Sequence, residues 1–452
     1  MENQEATTRG IWGSKVAFIF AATGSAIGLG NIWRFPTVVS QNGGAVFVLV
    51  YILAVAFIGF TVMLAELTLG RHSQRNPVGA IDHIKPGSPW KFIGYLGILT
   101  GVFILSFYAV VAGWAAGYVF KAVSGAFQGE LTAEMSNQIF TDFSSDPLQV
   151  FIFFALMMGL TIFIISKGVK KGIEKWTKIL MPALFLLIVL LAVRALTLPG
   201  AGQGLSFYLN PDFSKLNGTV ILFAVGQAFF SLSLGMGTMI TYGSYISKSD
   251  NLVSSAGWVS FADTFVALLA GLIIFPTLVS FGQPVDVGGE GLAFQIFPLI
   301  LSKLPGGYIF GILFFTLLTV AALTSTISLL EVPVSYLVDE KNWSRKKAVW
   351  VIGIFTFILG IPSALSTGAV EFFTKIKFLG FIAFAFGNIS LAVGALFICV
   401  FVGYIWGWKK AIKEIASGNP RFRLRFIWVF SLMFLTPIAI LFILYFIKTL
   451  RG

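Results

Sequence analysis

Eleven stretches of mostly apolar residues, each long enough to cross a bilayer, leave this chain little length for anything else. They lie at roughly 14–36, 43–69, 90–123, 148–166, 171–194, 217–246, 252–282, 306–338, 347–365, 376–407 and 424–447. A spanning helix needs about 20 such residues, and its backbone bonds must close within the segment because hydrocarbon offers none. With 11% charged residues in 452, against about 25% in a soluble domain, the chain reads as an all-α integral membrane protein. No soluble domain or long linker interrupts it, so 1–452 is expected to be one transmembrane domain.

Charge orients that domain. Segments 1–15, 70–91, 167–178, 247–251, 339–347 and 408–425 hold 22 of the 31 Lys and Arg residues. Such alternation marks the cytoplasmic loops. The expectation is a multi-pass protein of the cell inner (plasma) membrane, N-terminus cytoplasmic and, after eleven spans, C-terminus external. The net charge of +12 then reports orientation, and nucleic acid is not an expected partner. Met1–Gly13 is polar and lacks a cleavable signal pattern. Cys399 stands alone, so no intrachain disulfide forms. His72 and His83 fall in one polar loop beside Arg71, Arg75 and Lys85, which reads as solvation rather than a metal centre. No obligate protein partner is evident. Among the outer segments, 283–305 ends in an apolar run, Leu292–Leu301, too short to span and suited to a helical hairpin capping an external vestibule.

Within the first stretch, Gly24-Ser25-Ala26-Ile27-Gly28-Leu29-Gly30-Asn31-Ile32-Trp33-Arg34-Phe35-Pro36 does not suit an unbroken helix. Each interior glycine costs about 1 kcal/mol relative to alanine, and backbone freed at membrane depth survives only where it lines a protein cavity. A second break, Ser231–Gly237, falls in the sixth stretch. The breaks open two five-span sets, 14–194 and 217–407, after a cytoplasmic segment 1–13 and before an eleventh helix, 424–447. An inverted 5+5 repeat would bring helices 1 and 6, both broken at mid-membrane, face to face around a binding site. The competing reading is that the small residues only let helices pack closely.

Gly28-Leu29-Gly30-Asn31-Ile32-Trp33-Arg34-Phe35-Pro36, Asn42-Gly43-Gly44-Ala45, Glu66-Leu67-Thr68-Leu69-Gly70-Arg71, Phe229-Phe230-Ser231-Leu232-Ser233 and Leu323-Thr324-Ser325 together resemble the neurotransmitter:sodium symporter family, in its bacterial amino-acid branch. The likeness runs from Arg9 through about the tenth span. It implies the leucine-transporter-like fold and sodium-coupled uptake of an amino acid by alternating access. In that family the substrate carboxylate sits on freed N–H groups, here those of Leu29 and Gly30, as a half-helix N-terminus favours, with Tyr108 bonding it. One sodium site would use the carbonyl of Ala26 with Asn31, Ser231 and Asp263. A second would use the carbonyls of Gly24, Ile27 and Ala321 with the hydroxyls of Thr324 and Ser325. All are oxygen ligands, which suit a hard cation.

Chloride-dependent relatives carry asparagine at Asp263, and many bacterial ones a glutamate where this chain has Ala267. Asp263 is therefore expected to supply the negative charge itself, with no chloride requirement. The other reading of Asp263 is a protonated acid bonded to its neighbours. Around the substrate side chain the likeness places Ile104, Phe230, Ser233, Met236, Thr326 and Leu329, with Ala26, Gly28 and Ser231 also counted among the substrate-binding residues. That mostly apolar lining disfavours charged ligands, and Met236 tolerates varied shapes. Neutral hydrophobic L-amino acids such as tryptophan and leucine are the expected substrates, with the lipid bilayer as surroundings.

Gates follow the same likeness. Arg9 with Asp339, beside Trp12 and Tyr245, would close the cytoplasmic side, and Arg34 the external side. The sequence departs from the family where an acidic partner for Arg34 is expected, carrying Thr374 and Lys375. Glu371, or backbone reached through water, is left as that partner. Gly172 and Pro182 suggest a fifth span that unwinds during inward release, or a static proline kink. A proton-driven transporter of the same fold and an amino-acid sensor are the alternatives. An enzyme is not expected, since no histidine, cysteine or paired-carboxylate constellation lies at membrane depth.

Overall fold

A computed structural model describes residues 10–285, 291–418 and 422–451; among them every regular element is helical. In chain order the main helices are Lys15–Ala26 (α1), Gly30–Gln41 (α2), Ala45–Ser73 (α3), Pro89–Val123 (α4), Pro147–Ser166 (α5), Val169–Leu196 (α6), Gly218–Ser231 (α7), Thr238–Gly243 (α8), Leu252–Ser280 (α9), Gly307–Lys341 (α10), Arg345–Ala364 (α11), Phe378–Gly418 (α12) and Arg425–Phe446 (α13). Among the described residues nine of these are long and apolar enough to cross a membrane, and α1 with α2, bent by 50°, makes a tenth if counted as one span. An all-helical membrane protein is what the composition demanded. The expected count of eleven goes beyond this, because α7 has 14 residues and α8 only 6.

Polar side chains set where helices begin. Ser14, Asp146, Asn217, Asn251 and Ser344 each accept from a backbone N–H in the first turn of α1, α5, α7, α9 and α11, satisfying donors that the helix cannot. The α1–α2 break is set by Ile27, whose ψ of 116° leaves the helical region. Past α7 the chain turns through Ser233, Gly235 and Gly237, with φ of +55°, +79° and +76°. Two of these three left-handed positions are glycine, which bears no steric penalty there.

The helices form two packed groups. α4 runs along α10, α5 and α11, and α5 also packs on α10 and α11. The other group joins α3 to α7, α8 and α9, with α1 crossing from α9 to α10 and α6. Glycines allow the closest crossings. A Cβ on Gly70 of α3 would lie 2.1 Å from the Ile240 carbonyl oxygen of α8, and one on Gly235 would lie 2.1 Å from that of Leu391 in α12. On the side of the α4 C-terminus, Leu292–Lys303 is a short apolar helix. Its Phe294 packs on Trp33, Trp114, Tyr118, Phe140 and Phe315, which ties this segment down beside α2.

Gly70→Ala should invert the usual propensity rule. Alanine in place of an interior glycine is worth about 1 kcal/mol in helix propensity, but this methyl has no space, and overpacking of this kind costs about 1–3 kcal/mol or more. Thermal unfolding of detergent-purified protein should show Gly70→Ala destabilised. Gly159→Ala, whose Cβ meets nothing within 4 Å, should be neutral or slightly stabilised.

Candidate functional site

The α1–α2 and α7–α8 breaks meet at one buried carboxylate. Asp263, midway along α9, is fully buried. Its Oδ1 accepts from Asn31 Nδ2 at 2.7 Å and its Oδ2 from the Ser231 hydroxyl at 2.8 Å. The Tyr51 hydroxyl of α3 approaches Oδ2 at 3.4 Å and Ser231 Oγ at 3.3 Å. Asn31 also donates to Ser231 Oγ at 2.9 Å and to the Asp263 carbonyl at 3.1 Å, while its Oδ1 accepts from Gly28 N–H at 3.0 Å. Four helices therefore converge on one acid, and among the described residues no cationic side chain pairs with it. A buried carboxylate costs several kcal/mol unless donors or a cation offset it.

The broken backbone is held by side chains. Leu29 N–H donates to the Tyr108 hydroxyl at 2.9 Å, and Gln227 Nε2 donates to the Gly30 carbonyl at 2.7 Å. Gly28 leaves room for both Tyr108 and Ser325, since a Cβ there would sit 2.5 Å and 2.4 Å from their hydroxyl oxygens. On the other break, Glu66 Oε1 accepts from Gly235 N–H at 2.7 Å, and Ser233 Oγ donates to the Ser25 carbonyl at 2.9 Å.

Between the breaks lies a cavity with about 20 Å3 of free space. Ala26, Gly28, Gly30, Ile104, Tyr108, Phe230, Ser233, Met236 and Leu329, all among the residues expected to bind substrate, line it together with Ser25 and Ser325. Three other residues expected to bind substrate lie outside this lining. Leu29 lines the adjoining outer cavity, and Ser231 turns to Asp263. Thr326 faces α5, where its hydroxyl meets that of Thr161 at 2.7 Å; it sits about 100° round the helix from Ser325.

A second oxygen-rich spot marks the crossing of α1 with α10. Thr324 Oγ1 donates to the Ala321 carbonyl at 2.9 Å, and Ser325 Oγ lies 3.4 Å from the carbonyls of Ile27 and Ala321. A Cβ on Gly24 would come within 3.3 Å of Thr324 Cβ. All five residues of the expected second site therefore share one crossing. The first group presents carboxylate, amide, hydroxyl and carbonyl oxygens and the second hydroxyl and carbonyl oxygens, donor sets that fit a small hard cation.

Beyond the inner cavity, a space of about 310 Å3 lies between α2, α4 and α12. Arg34 closes its floor, with the guanidinium 4.4 Å from the Phe230 ring centre and Nη2 donating to Asn388 Oδ1 at 2.7 Å. Asn388 thus takes the place expected of Glu371. That glutamate is exposed in the surface helix Glu371–Lys375, paired with Lys375 at 2.7 Å, before α12 begins. On the opposite side Trp12 is buried, donating from its backbone to the Tyr245 carbonyl at 3.1 Å and from Nε1 to the Tyr242 carbonyl at 3.0 Å. Tyr245 turns its hydroxyl to Glu331 at 2.8 Å, and Glu331 is ion-paired with Arg345. Asp339 accepts from Asn76 N–H at 3.0 Å; Arg9 lies outside the described residues. Pro182 is inside α6, and Gly172 packs so closely that a Cβ would sit 2.1 Å from the Ile164 carbonyl oxygen.

Tyr51, Gln227, Ser25 and Asn388 had no role in the sequence reading. Each is an isolated polar group inside an apolar stretch, and that was the available signal.

The family model for sodium:neurotransmitter symporters matches residues 9–142 and 137–450. An uncharacterized sodium-dependent transporter of Bacillus subtilis is 38% identical over 435 residues, covering 95% of this chain and 96% of the relative. One from Haemophilus influenzae is 35% identical over 448 residues, covering 96% and 97%. The crystal structure of MhsT in complex with L-phenylalanine superposes with a TM-score of 0.89 at 44% identity, covering 97% of this chain and 99% of that one. The chain belongs to the sodium:neurotransmitter symporter family and is a sodium-dependent membrane transporter rather than an enzyme.

Proposed function

We propose that this chain is a sodium-coupled symporter that imports neutral hydrophobic L-amino acids, aliphatic and aromatic, without requiring chloride. The observation that carries the reading is the convergence of Asn31, Ser231 and Asp263 beside an apolar cavity that opens onto the freed backbone of Gly28–Gly30. In this reading α1–α2 and α7–α8 are single broken spans, giving eleven in a 5+5 inverted arrangement with α13 appended. The N-terminus is cytoplasmic and the membrane is the cell inner membrane. The solved complex of the similar MhsT with L-phenylalanine supports an amino-acid substrate.

The residues divide the work by chemistry. Leu29 and Gly30 N–H groups and the Tyr108 hydroxyl receive the substrate carboxylate, for which Leu29 N–H must leave the Tyr108 oxygen that accepts it in this structure. Ile104, Phe230, Met236 and Leu329 exclude water from the side chain and leave a charged one unpaired. Free space of about 20 Å3 is of the order of a single water site. A leucine or tryptophan therefore enters only as Phe230 and the 232–237 turn give way. Met236, between two glycines with positive φ, is the part of that turn best able to do so. Ala26, Asn31, Ser231 and Asp263 would hold one sodium, and Gly24, Ile27, Ala321, Thr324 and Ser325 the other. When bound, sodium supplies positive charge that offsets the Asp263 and substrate carboxylates. Arg34 with Phe230 and Asn388 forms the external gate; Trp12, Tyr245 and Asp339, with Arg9, form the cytoplasmic one. Release to the cytoplasm uses unwinding of α6 between Gly172 and Pro182.

Purified protein in liposomes should accumulate radiolabelled tryptophan and leucine under an inward sodium gradient with no chloride present. Equal uptake under a potassium gradient would overturn sodium coupling and leave a proton-driven transporter in its place. Asp263→Asn should lower chloride-free uptake at least tenfold, equivalent to about 1.4 kcal/mol, with a matching loss of sodium affinity. Unchanged uptake by that variant would end the assignment of Asp263 as the fixed negative charge.

A further inference from the structure

The junction of α5 with α6 carries charge that neither the substrate site nor the gates use. Between 167 and 178 there are five lysines and one acid. Lys167, Lys170, Lys171, Lys175 and Lys178 are all exposed, whereas Glu174 is buried. The acid is also engaged: its Oε2 accepts from Gly13 N–H at 2.9 Å, and its Oε1 from Lys178 Nζ at 2.7 Å. Among the described residues no ion pair links Lys167, Lys170, Lys171 or Lys175 to an acid.

Those lysines border apolar surface. Phe163 is 50% exposed and Ile179 54% exposed, on either side of the lysine segment. The Lys167 ammonium rests 5.1 Å from the Phe163 ring centre. Large apolar side chains left open on a membrane transporter face acyl chains, so the lysines at their edge stand at headgroup level, with stems on the apolar surface and ammonium groups beyond it. A compact basic cluster at that depth attracts anionic lipid.

We propose that Lys167, Lys170, Lys171 and Lys175 form a docking surface for the phosphate headgroups of anionic phospholipids in the cytoplasmic leaflet. The choice of leaflet rests on the orientation proposed above. This surface is joined to the N-terminal segment. Gly13 is bonded to Glu174 in the wide turn Val169–Glu174, and a Cβ on Gly10 would sit 2.9 Å from Val169 Cβ. Headgroups that fix the lysines therefore also fix the start of α6, and anionic lipid holds this junction wound.

Full-length protein in phosphatidylcholine vesicles, doped with spin-labelled phosphatidylglycerol or spin-labelled phosphatidylcholine, tests this without any transport readout. The expected immobilised fraction is about threefold higher for phosphatidylglycerol, the sense in which a basic cluster selects anionic lipid. Lys167→Gln, Lys170→Gln, Lys171→Gln and Lys175→Gln combined should bring the two lipids to parity. The four arginine replacements should keep the preference, as should Lys409→Gln, Lys410→Gln and Lys413→Gln combined. Should the glutamine variant not insert, raising potassium chloride on the unaltered protein should erase the preference by screening. Phosphatidylglycerol should also slow hydrogen exchange at 169–175. A preference that survives the four glutamines or high salt, or that the control triple variant loses equally, overturns the proposal. It would leave these lysines as orientation signals alone, with the transport reading untouched.

Discussion

The constraint on which this structure depends is that backbone polar groups freed inside a membrane must find partners within the protein. The chain leaves helical form between α1 and α2 and again between α7 and α8, and each interruption frees donors and acceptors that hydrocarbon cannot satisfy. The side chains that take them come from other helices. Tyr108 of α4 takes Leu29 N–H, Gln227 of α7 gives to the Gly30 carbonyl, and Glu66 of α3 takes Gly235 N–H. Each break is thus tied to a neighbour, and moving one helix asks its partners to let go or follow. The price is a bundle core with buried acids, which only specific donors make tolerable.

The same ties explain why glycines are placed where they are. Gly28 admits the hydroxyls of Tyr108 and Ser325 to the first break, and Gly235 lets the second lie on Leu391 of α12, opposite Gly394. A methyl at either place would push apart surfaces that hold the site together. The glycines first identified as helix breakers act equally as contact surfaces. Close packing at these residues is compatible with the proposed binding site at the same place.

Helix positions were legible because hydrophobic length is a one-dimensional signal that needs no knowledge of partners. The apolar stretches fall on α1 to α13 with most ends shifted by a few residues, although α12 continues to Gly418, well past the expected 407. Site residues that make backbone or charge contacts across a break, such as Asn31 with Asp263, were legible through the family likeness. Others were hidden because their roles depend on direction around a helix. Thr326 and Ser325 are neighbours in sequence, but one faces Thr161 and the other the cavity. Arg34 shows the same limit in three dimensions. Sequence position points to an acid, Glu371, just before the tenth stretch, whereas the contact is with Asn388, an amide within α12. A neutral acceptor gives hydrogen bonding without a formal ion pair, which is a weaker hold on a buried guanidinium.

That difference bears on how the proposed cycle is balanced. On the side proposed as external, Arg34 is held by one amide and one aromatic face. On the opposite side Trp12 is held by two backbone acceptors and the rings of Tyr242 and Tyr245, behind which Glu331 and Arg345 are ion-paired. Fewer and more neutral contacts separate more readily, so under the proposed orientation the external route would be the easier of the two to open in the absence of substrate. A carrier that loads from outside gains from that asymmetry, because the site stays available to the side on which sodium is abundant. Opening the cytoplasmic side then requires withdrawing Trp12, which lies one residue from the Gly13–Glu174 bond. The start of α6, where the second cation site would drain, is therefore mechanically linked to the proposed inner gate.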